Sequence, residues 1–157
     1  MRFMAAFLVG LIWSNWIEYA YHRWAMHRPS LYQPAAMRHT LQHSAPSTPQ
    51  HTTMTFGFWA VIFITNILIC GVTDYLLHLR MLTGVAAAFL TYIVVGIEIH
   101  LRTHDGRWVP DACGAHHLLH YVRPQTNFNI FLPLFDCLGT KNSVVIHRCR
   151  KQNLPRL

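Results

Sequence analysis

The sequence predicts an all-α integral membrane protein, with about three transmembrane helices and a cytoplasmic, histidine-rich helical cap. Three observations carry that prediction. Apolar residues make up 52% of the chain and charged ones only 12%, against roughly 25% charged in an average soluble domain. The apolar excess lies in three uncharged runs. Nine of the twelve histidines stand in four short clusters beside those runs. The 157 residues suit one domain, 1–157, with no internal repeat.

A helix needs roughly 20 apolar residues to span a bilayer, with a range of about 17 to 25. The first span is expected over about 3–21, where the run Phe3 to Ile17 continues past Glu18 through Tyr19, Ala20 and Tyr21. A cleaved leader is disfavoured there, because the basic start is a single Arg2 and no A-x-A-like site follows. An aromatic belt (Trp13, Trp16, Tyr19, Tyr21, Trp24) closes the span, and Pro29 limits the helix beyond it. Residues 30 to 43 are expected to hold a short helix, and the polar stretch Ser44 to Thr53, with two prolines, a loop. The second span is expected over about 54–73 and the third over about 81–99. They form a hairpin across Asp74 to Arg80. From His100 onward, short helices and turns are expected.

Basic residues set the orientation. Eleven of the thirteen (Arg23, Arg28, Arg38, Arg102, Arg107, Arg123, Lys141, Arg148, Arg150, Lys151, Arg156) lie on the side of the histidine clusters, against Arg2 and Arg80 on the other. That asymmetry places the clusters and the C-terminus in the cytoplasm. The formal charge of +7 is then mostly a cytoplasmic face touching anionic lipid. No nucleic-acid-binding motif accompanies it. Cys70, Cys113, Cys137 and Cys149 form no C-x-x-C pair, and neither a disulfide nor a thiolate metal site is expected. Gly57, Gly71, Gly84 and Gly96 offer small surfaces for close packing, between copies of the chain or within it.

The clusters read His22-x4-His27, His39-x3-His43, His100-x3-His104 and His116-His117-x2-His120. Two imidazoles at i,i+4 share a helix face and can reach one ion. Packing nine of them without metal would leave donors unpaired or charges repelling. His51, His78 and His147, standing alone, read as polar anchors. All-imidazole sites suit zinc, copper, iron or nickel. A structural zinc takes four ligands, so nine histidines imply two metals. The metal-binding segments are 22–43 and 100–140. Among the few carboxylates, Glu18 stands four residues before His22 and is placed to hold its free ring nitrogen. Asp105 and Asp136 are placed either to support the site or to cap a turn or pair with an arginine.

The order H-x4-H, H-x2-H-H, H-x3-H, H-x2-H-H, with spans before the first and third motifs, resembles the fatty acid hydroxylase and sterol desaturase superfamily of membrane non-haem di-metal oxygenases. The resemblance runs from about Glu18 to Thr140. His22 and His27 match the first motif, His39 and His43 the outer positions of the second, His100 and His104 the third, and His116 and His120 the outer positions of the fourth. The family's tail, N-[FY]-G then W-D and G-T, is matched by Asn127-Phe128-Asn129, Phe135-Asp136 and Gly139-Thr140. Asn129 for Gly is a mild change, since Asn tolerates the left-handed backbone well. Gln42 and Leu119 stand where the family has histidine, and three spans replace its usual four. Gln42 can still offer an oxygen, whereas Leu119 cannot bind metal.

On a helix advancing about 100° per residue, with His116 at zero, His120 lies near +40°, His117 near +100° and Leu119 near −60°. A modest rotation of that helix would restore three ligands through His117; alternatively His117 faces solvent. The resemblance implies a membrane-bound di-iron oxygenase that hydroxylates or desaturates a lipid with O2. It implies two iron ions (zinc as a substitute in isolated protein) and an external electron donor such as cytochrome b5 or a ferredoxin. The membrane would be the inner membrane in a bacterium or the endoplasmic reticulum in a eukaryote, and self-association through the spans is expected. The alternatives are a catalytically impaired member of the family, a metal transporter or a bis-histidine haem protein. Transporter sites usually lie near the membrane midplane, whereas these clusters sit at span ends.

Overall fold

The computed structural model describes residues 1–44 and 52–139, apart from the side chains of residues 42, 44, 52–60, 111–112, 114–115 and 137–139. Among the described residues there is no strand. The helices are α1 (Arg2–Ala20), a π-helical turn (Tyr21–Met26), α2 (Gln33–Ser44), α3 (Thr52–Leu77), α4 (Leu82–His104), α5 (Asp111–Val122) and α6 (Leu134–Gly139). The expected loop between α2 and α3 lies largely outside the described residues, as do His51, Thr140 and His147. The chain divides into two compact units, Met1–Ser14 with Pro49–Val95, and Asn15–Thr48 with Gly96–Leu157.

The first unit is an apolar helical assembly. Along it, α1 and α4 approach backbone to backbone through small residues. A Cβ on Gly84 would lie 2.6 Å from the Phe3 carbonyl oxygen, and one on Gly10 would lie 2.7 Å from the Ala88 Cβ. Gly84 is thus spent on packing within the chain. Trp13 Nε1 donates to Asn66 Oδ1 at 3.0 Å, tying α1 to α3. The turn between α3 and α4 is closed by the Met81 N–H donating to Asp74 Oδ1 at 2.6 Å, within the hairpin connection expected from sequence. Leu8, Val9, Ile12, Ile64, Leu68, Val72, Leu90 and Val94 are each more than half exposed. So much exposed apolar side chain belongs against lipid or another apolar face. Among the described residues two helical segments, Arg2–Met26 and Leu82–His104, are long and apolar enough to cross a bilayer, and Val61–Leu77 is a shorter apolar stretch of α3. Together with the family reported below, they point to a membrane protein.

The second unit carries the histidines, and its elements begin and end where local chemistry requires. The π-turn stops at His27, two residues before Pro29. Pro34 occupies the first turn of α2, where its missing N–H costs nothing. Helix α4 ends at His104, and Gly106 beyond it, with φ +65°, lets the Arg107 N–H return to the Arg102 carbonyl at 2.9 Å. Pro110 precedes α5, and Pro124 follows its last turn. Cys70 and Cys113 are free thiols; Cys137 and Cys149 lie outside the described side chains.

Candidate metal centre

Among the described residues of the second unit, the histidines form two groups. His22, His27, His39 and His120 bring ligand nitrogens within 4.8 Å of one another, and so do His100, His104 and His117. In the first group Nε2 of His39 lies 3.1 Å from that of His22, 2.9 Å from that of His27 and 3.1 Å from that of His120. His27 and His120 approach at 3.1 Å, and His43 Nε2 stands 2.9 Å from His39 Nε2. In the second group the Nε2 atoms of His104 and His117 are 3.3 Å apart. The His100 ring lies 4.7 Å from that of His104 and 4.8 Å from that of His117.

Local structure explains why each ring is present. His39 and His43 on α2, and His100 and His104 on α4, are i,i+4 pairs on one helix face. His22 and His27 are five apart, about 140° from register on an α-helix. The π-turn, with its i→i+5 hydrogen bonding, brings them round, and their rings stack at 5.4 Å. Helix α5 serves both groups, giving His120 to the first and His117 to the second.

Hydrogen bonds fix which nitrogen faces inward. His22 Nδ1 meets the Phe128 carbonyl oxygen at 2.5 Å and His120 Nδ1 the Thr126 carbonyl oxygen at 2.6 Å. A carbonyl only accepts, so each Nδ1 carries the hydrogen and each Nε2 presents a lone pair to the centre. Lone pairs of His22 and His120 turned toward a common centre are donors that a cation can use. Burial opposes the charged form of His120, His27, His43 and His117. It pushes His120 down to about 3, against the pull of its Thr126 hydrogen bond, with His27 and His43 repelling its charged form. Burial and then His43 push His27 to about 4, and burial lowers His43. His117 is held well below the usual range by burial first and then by the neighbouring imidazoles. Among the described residues, the Nδ1 atoms of His43 and His117 are buried with no hydrogen-bond partner. The residues present therefore offer two groups that could hold metal: a four-histidine group with His43 alongside, and a three-histidine group.

A loop after α5 aims the first group. Asp136 is fully buried and accepts from the N–H groups of Phe128 (2.8 Å) and Asn129 (2.9 Å) and from His116 Nε2 (2.8 Å). Glu18, also buried, accepts from Asn129 Nδ2 at 2.9 Å and the Ile130 N–H at 3.1 Å. Asn15 Nδ2 donates to the Leu132 carbonyl.

Several expectations change here. His116 joins neither group; it is buried against Asp136, and the Asn127 side chain holds its carbonyl at 3.2 Å. His117 does not face solvent; it is 1% exposed and stands in the second group. The nitrogen of His22 expected to meet Glu18 meets the Phe128 carbonyl instead, and Glu18 supports the loop carrying that carbonyl. The left-handed residue of the tail is Asn127 (φ +61°), not Asn129. Asp105 pairs with Arg107 at 3.0 Å, both side chains about half exposed. Gln42 lies on α2, its side chain outside the described set. His78 stands in the exposed α3–α4 turn.

Sequence reasoning missed the carbonyls of Thr126 and Phe128, Asn15, and Tyr121. Tyr121 carried a usable signal, since it follows His117 at i+4. Its hydroxyl lies 3.1 Å from His104 Nε2, and burial raises its pKa above the usual phenol value.

A family model described as fatty acid hydroxylase matches residues 7–140. Comparison with curated proteins and with solved structures gives no match. The matched span includes every histidine of both groups and the loop that aims them, and the chain belongs to the fatty acid hydroxylase family, within the fatty acid hydroxylase and sterol desaturase superfamily.

Proposed function

We propose that the protein is a membrane-bound non-haem oxygenase that uses two irons, O2 and an external electron donor to hydroxylate or desaturate a lipid. The observation that carries this reading is the pair of histidine groups joined through α5 in a chain of the hydroxylase family. His22, His27, His39 and His120, with His43 alongside, would hold one iron, and His100, His104 and His117 the other. A bound iron pair supplies the activation of O2 that an unactivated C–H bond demands. The chain's own residues orient and shield: the Phe128 and Thr126 carbonyls fix two rings, and burial of His22, His39, His117 and His120 excludes water from the donor atoms. Imidazole donors also accept zinc, which would replace iron in isolated protein.

In this reading α1, α3 and α4 cross the bilayer, with the histidine groups and the C-terminus in the cytoplasm. The apolar runs and the eleven-to-two bias of basic residues support it. The membrane is the inner membrane of a bacterium or the endoplasmic reticulum of a eukaryote. The substrate enters sideways from the lipid. The basic face steers an acidic donor such as cytochrome b5 or a ferredoxin; the sequence carries no haem-attachment motif, P-loop or G-x-G-x-x-G of its own. Gly96, with open space beside it, favours contact between copies through α4. The test is lipid profiling of cells with and without the protein, together with iron analysis of the purified chain. A new hydroxylated or desaturated lipid that disappears in His120→Ala is expected. Iron-loaded protein that leaves the lipid profile unchanged would favour a second reading, a catalytically impaired member, which draws on the buried Leu119 where the family has histidine.

A further inference from the structure

The second group has three histidines where the first has four, and a fourth donor stands beside it. The Tyr121 hydroxyl oxygen is 3.1 Å from His104 Nε2, which is itself 3.3 Å from His117 Nε2. Donor atoms about 2.1 Å from a shared ion lie roughly 3.0 to 3.4 Å apart, between right-angle and tetrahedral arrangements. Both separations fall in that window. The Tyr121 ring is centred 5.4 Å from the rings of both His104 and His117, so the phenol approaches the group side-on from α5.

Helix geometry adds an independent reason. With His116 at zero, His120, His117 and Tyr121 lie near +40°, +100° and +140° on α5. They span about 100°, the same arc as three ligands in an H-x2-H-H motif. His117-Leu118-Leu119-His120-Tyr121 is that motif begun one residue later, with tyrosine in its last place. In this register Leu119 is no vacancy but a buried apolar residue. His116 is free to serve Asp136, as it does.

We propose that Tyr121 is the fourth ligand of the second metal, which is then held by His100, His104, His117 and a tyrosine oxygen. This rests on the two-metal reading above. On binding, the hydrogen bond between Tyr121 and His104 would give way to O–metal and N–metal bonds, and the phenolic proton would pass to solvent. An anionic oxygen donor makes this centre harder than its all-imidazole neighbour and favours ferric iron there.

The test uses the full chain in detergent, reconstituted with ferrous iron and oxidised in air. The expected result is two irons per chain and a visible charge-transfer band from tyrosine oxygen to ferric iron. Tyr121→Phe, which keeps the ring, should halve the iron content and abolish the band. Tyr121→His should keep both irons and abolish the band, and it carries the test if the Phe variant fails to fold. Two irons with no visible band in the parent chain would overturn the proposal and leave the two-metal reading standing. So would a band unchanged in either variant. Fewer than one iron in the parent chain would remove the two-metal reading and this proposal with it.

Discussion

The two histidine groups differ in what holds their rings. In the first, His22 and His120 donate to backbone carbonyls of the 126–128 segment, and that segment hangs on Asp136. In the second, a side-chain hydroxyl meets His104, and His117 Nδ1 is buried without a hydrogen-bond partner. Backbone anchors have few torsions to relax, so the first group is set before an ion arrives. The second depends on side chains that an ion must still draw together. The expected consequence is a tight first centre and a looser second one.

The largest effect should come from His120→Ala, which removes a ring at the centre of the first group. Metal affinity there should fall by more than about 100-fold, beyond the 10–100-fold typical of losing an outer partner. Chelator competition on purified protein measures it, and retention of both ions would break the comparison. Asp136→Asn should weaken the first centre by about 10–100-fold and cost roughly 1–3 kcal/mol of stability, with the second centre unaffected. Equal weakening of both centres would mean that the loop does not discriminate between them. His116→Ala should cost stability of the same order, as it strips a partner from buried Asp136, yet leave the metal count unchanged; loss of an ion would return His116 to the ligand set.

The pH response sharpens the contrast further. His27 and His120 are depressed to about 4 and about 3 when folded, against about 6.5 unfolded. Above 6.5 neither state is protonated and these rings contribute no pH dependence. Between 6.5 and about 4 the unfolded chain binds protons that the folded chain refuses, so stability of the metal-free protein should fall as pH falls. Thermal melts across that window measure it, and a flat profile would mean that the rings are not buried neutral. The smallest effect is expected from Asn129→Gly, the family's own residue. Asn129 has no positive φ to relieve, and its side chain donates to Glu18 and to the Asn15 carbonyl. About 1 kcal/mol should be lost, visible as a lower melting temperature, where a residue chosen only for its backbone would show a gain.

Much of this was legible in the sequence because helices repeat. The i,i+4 pairs His39/His43 and His100/His104, the apolar runs behind α1 and α4, and the break at Pro29 follow from periodicity and proline chemistry. What escaped is local departure from that periodicity. His22 and His27 meet only because the helix widens into a π-turn, which no residue in Tyr21–Met26 announces. The register of α5 was open by one position, since His116 and His117 are adjacent and only Asp136, sixteen residues past His120, tells them apart. The Phe128 carbonyl is invisible by nature, because every residue has one.

That carbonyl also has a bearing on time. It lies 106 residues beyond the ring it orients. At roughly 5–20 residues per second of synthesis, about 5–20 s separate the two. During that interval the first three histidines of the group exist without the loop that selects their tautomer. If the group holds an ion, the tautomer that receives it is selected only after residue 128 has been made.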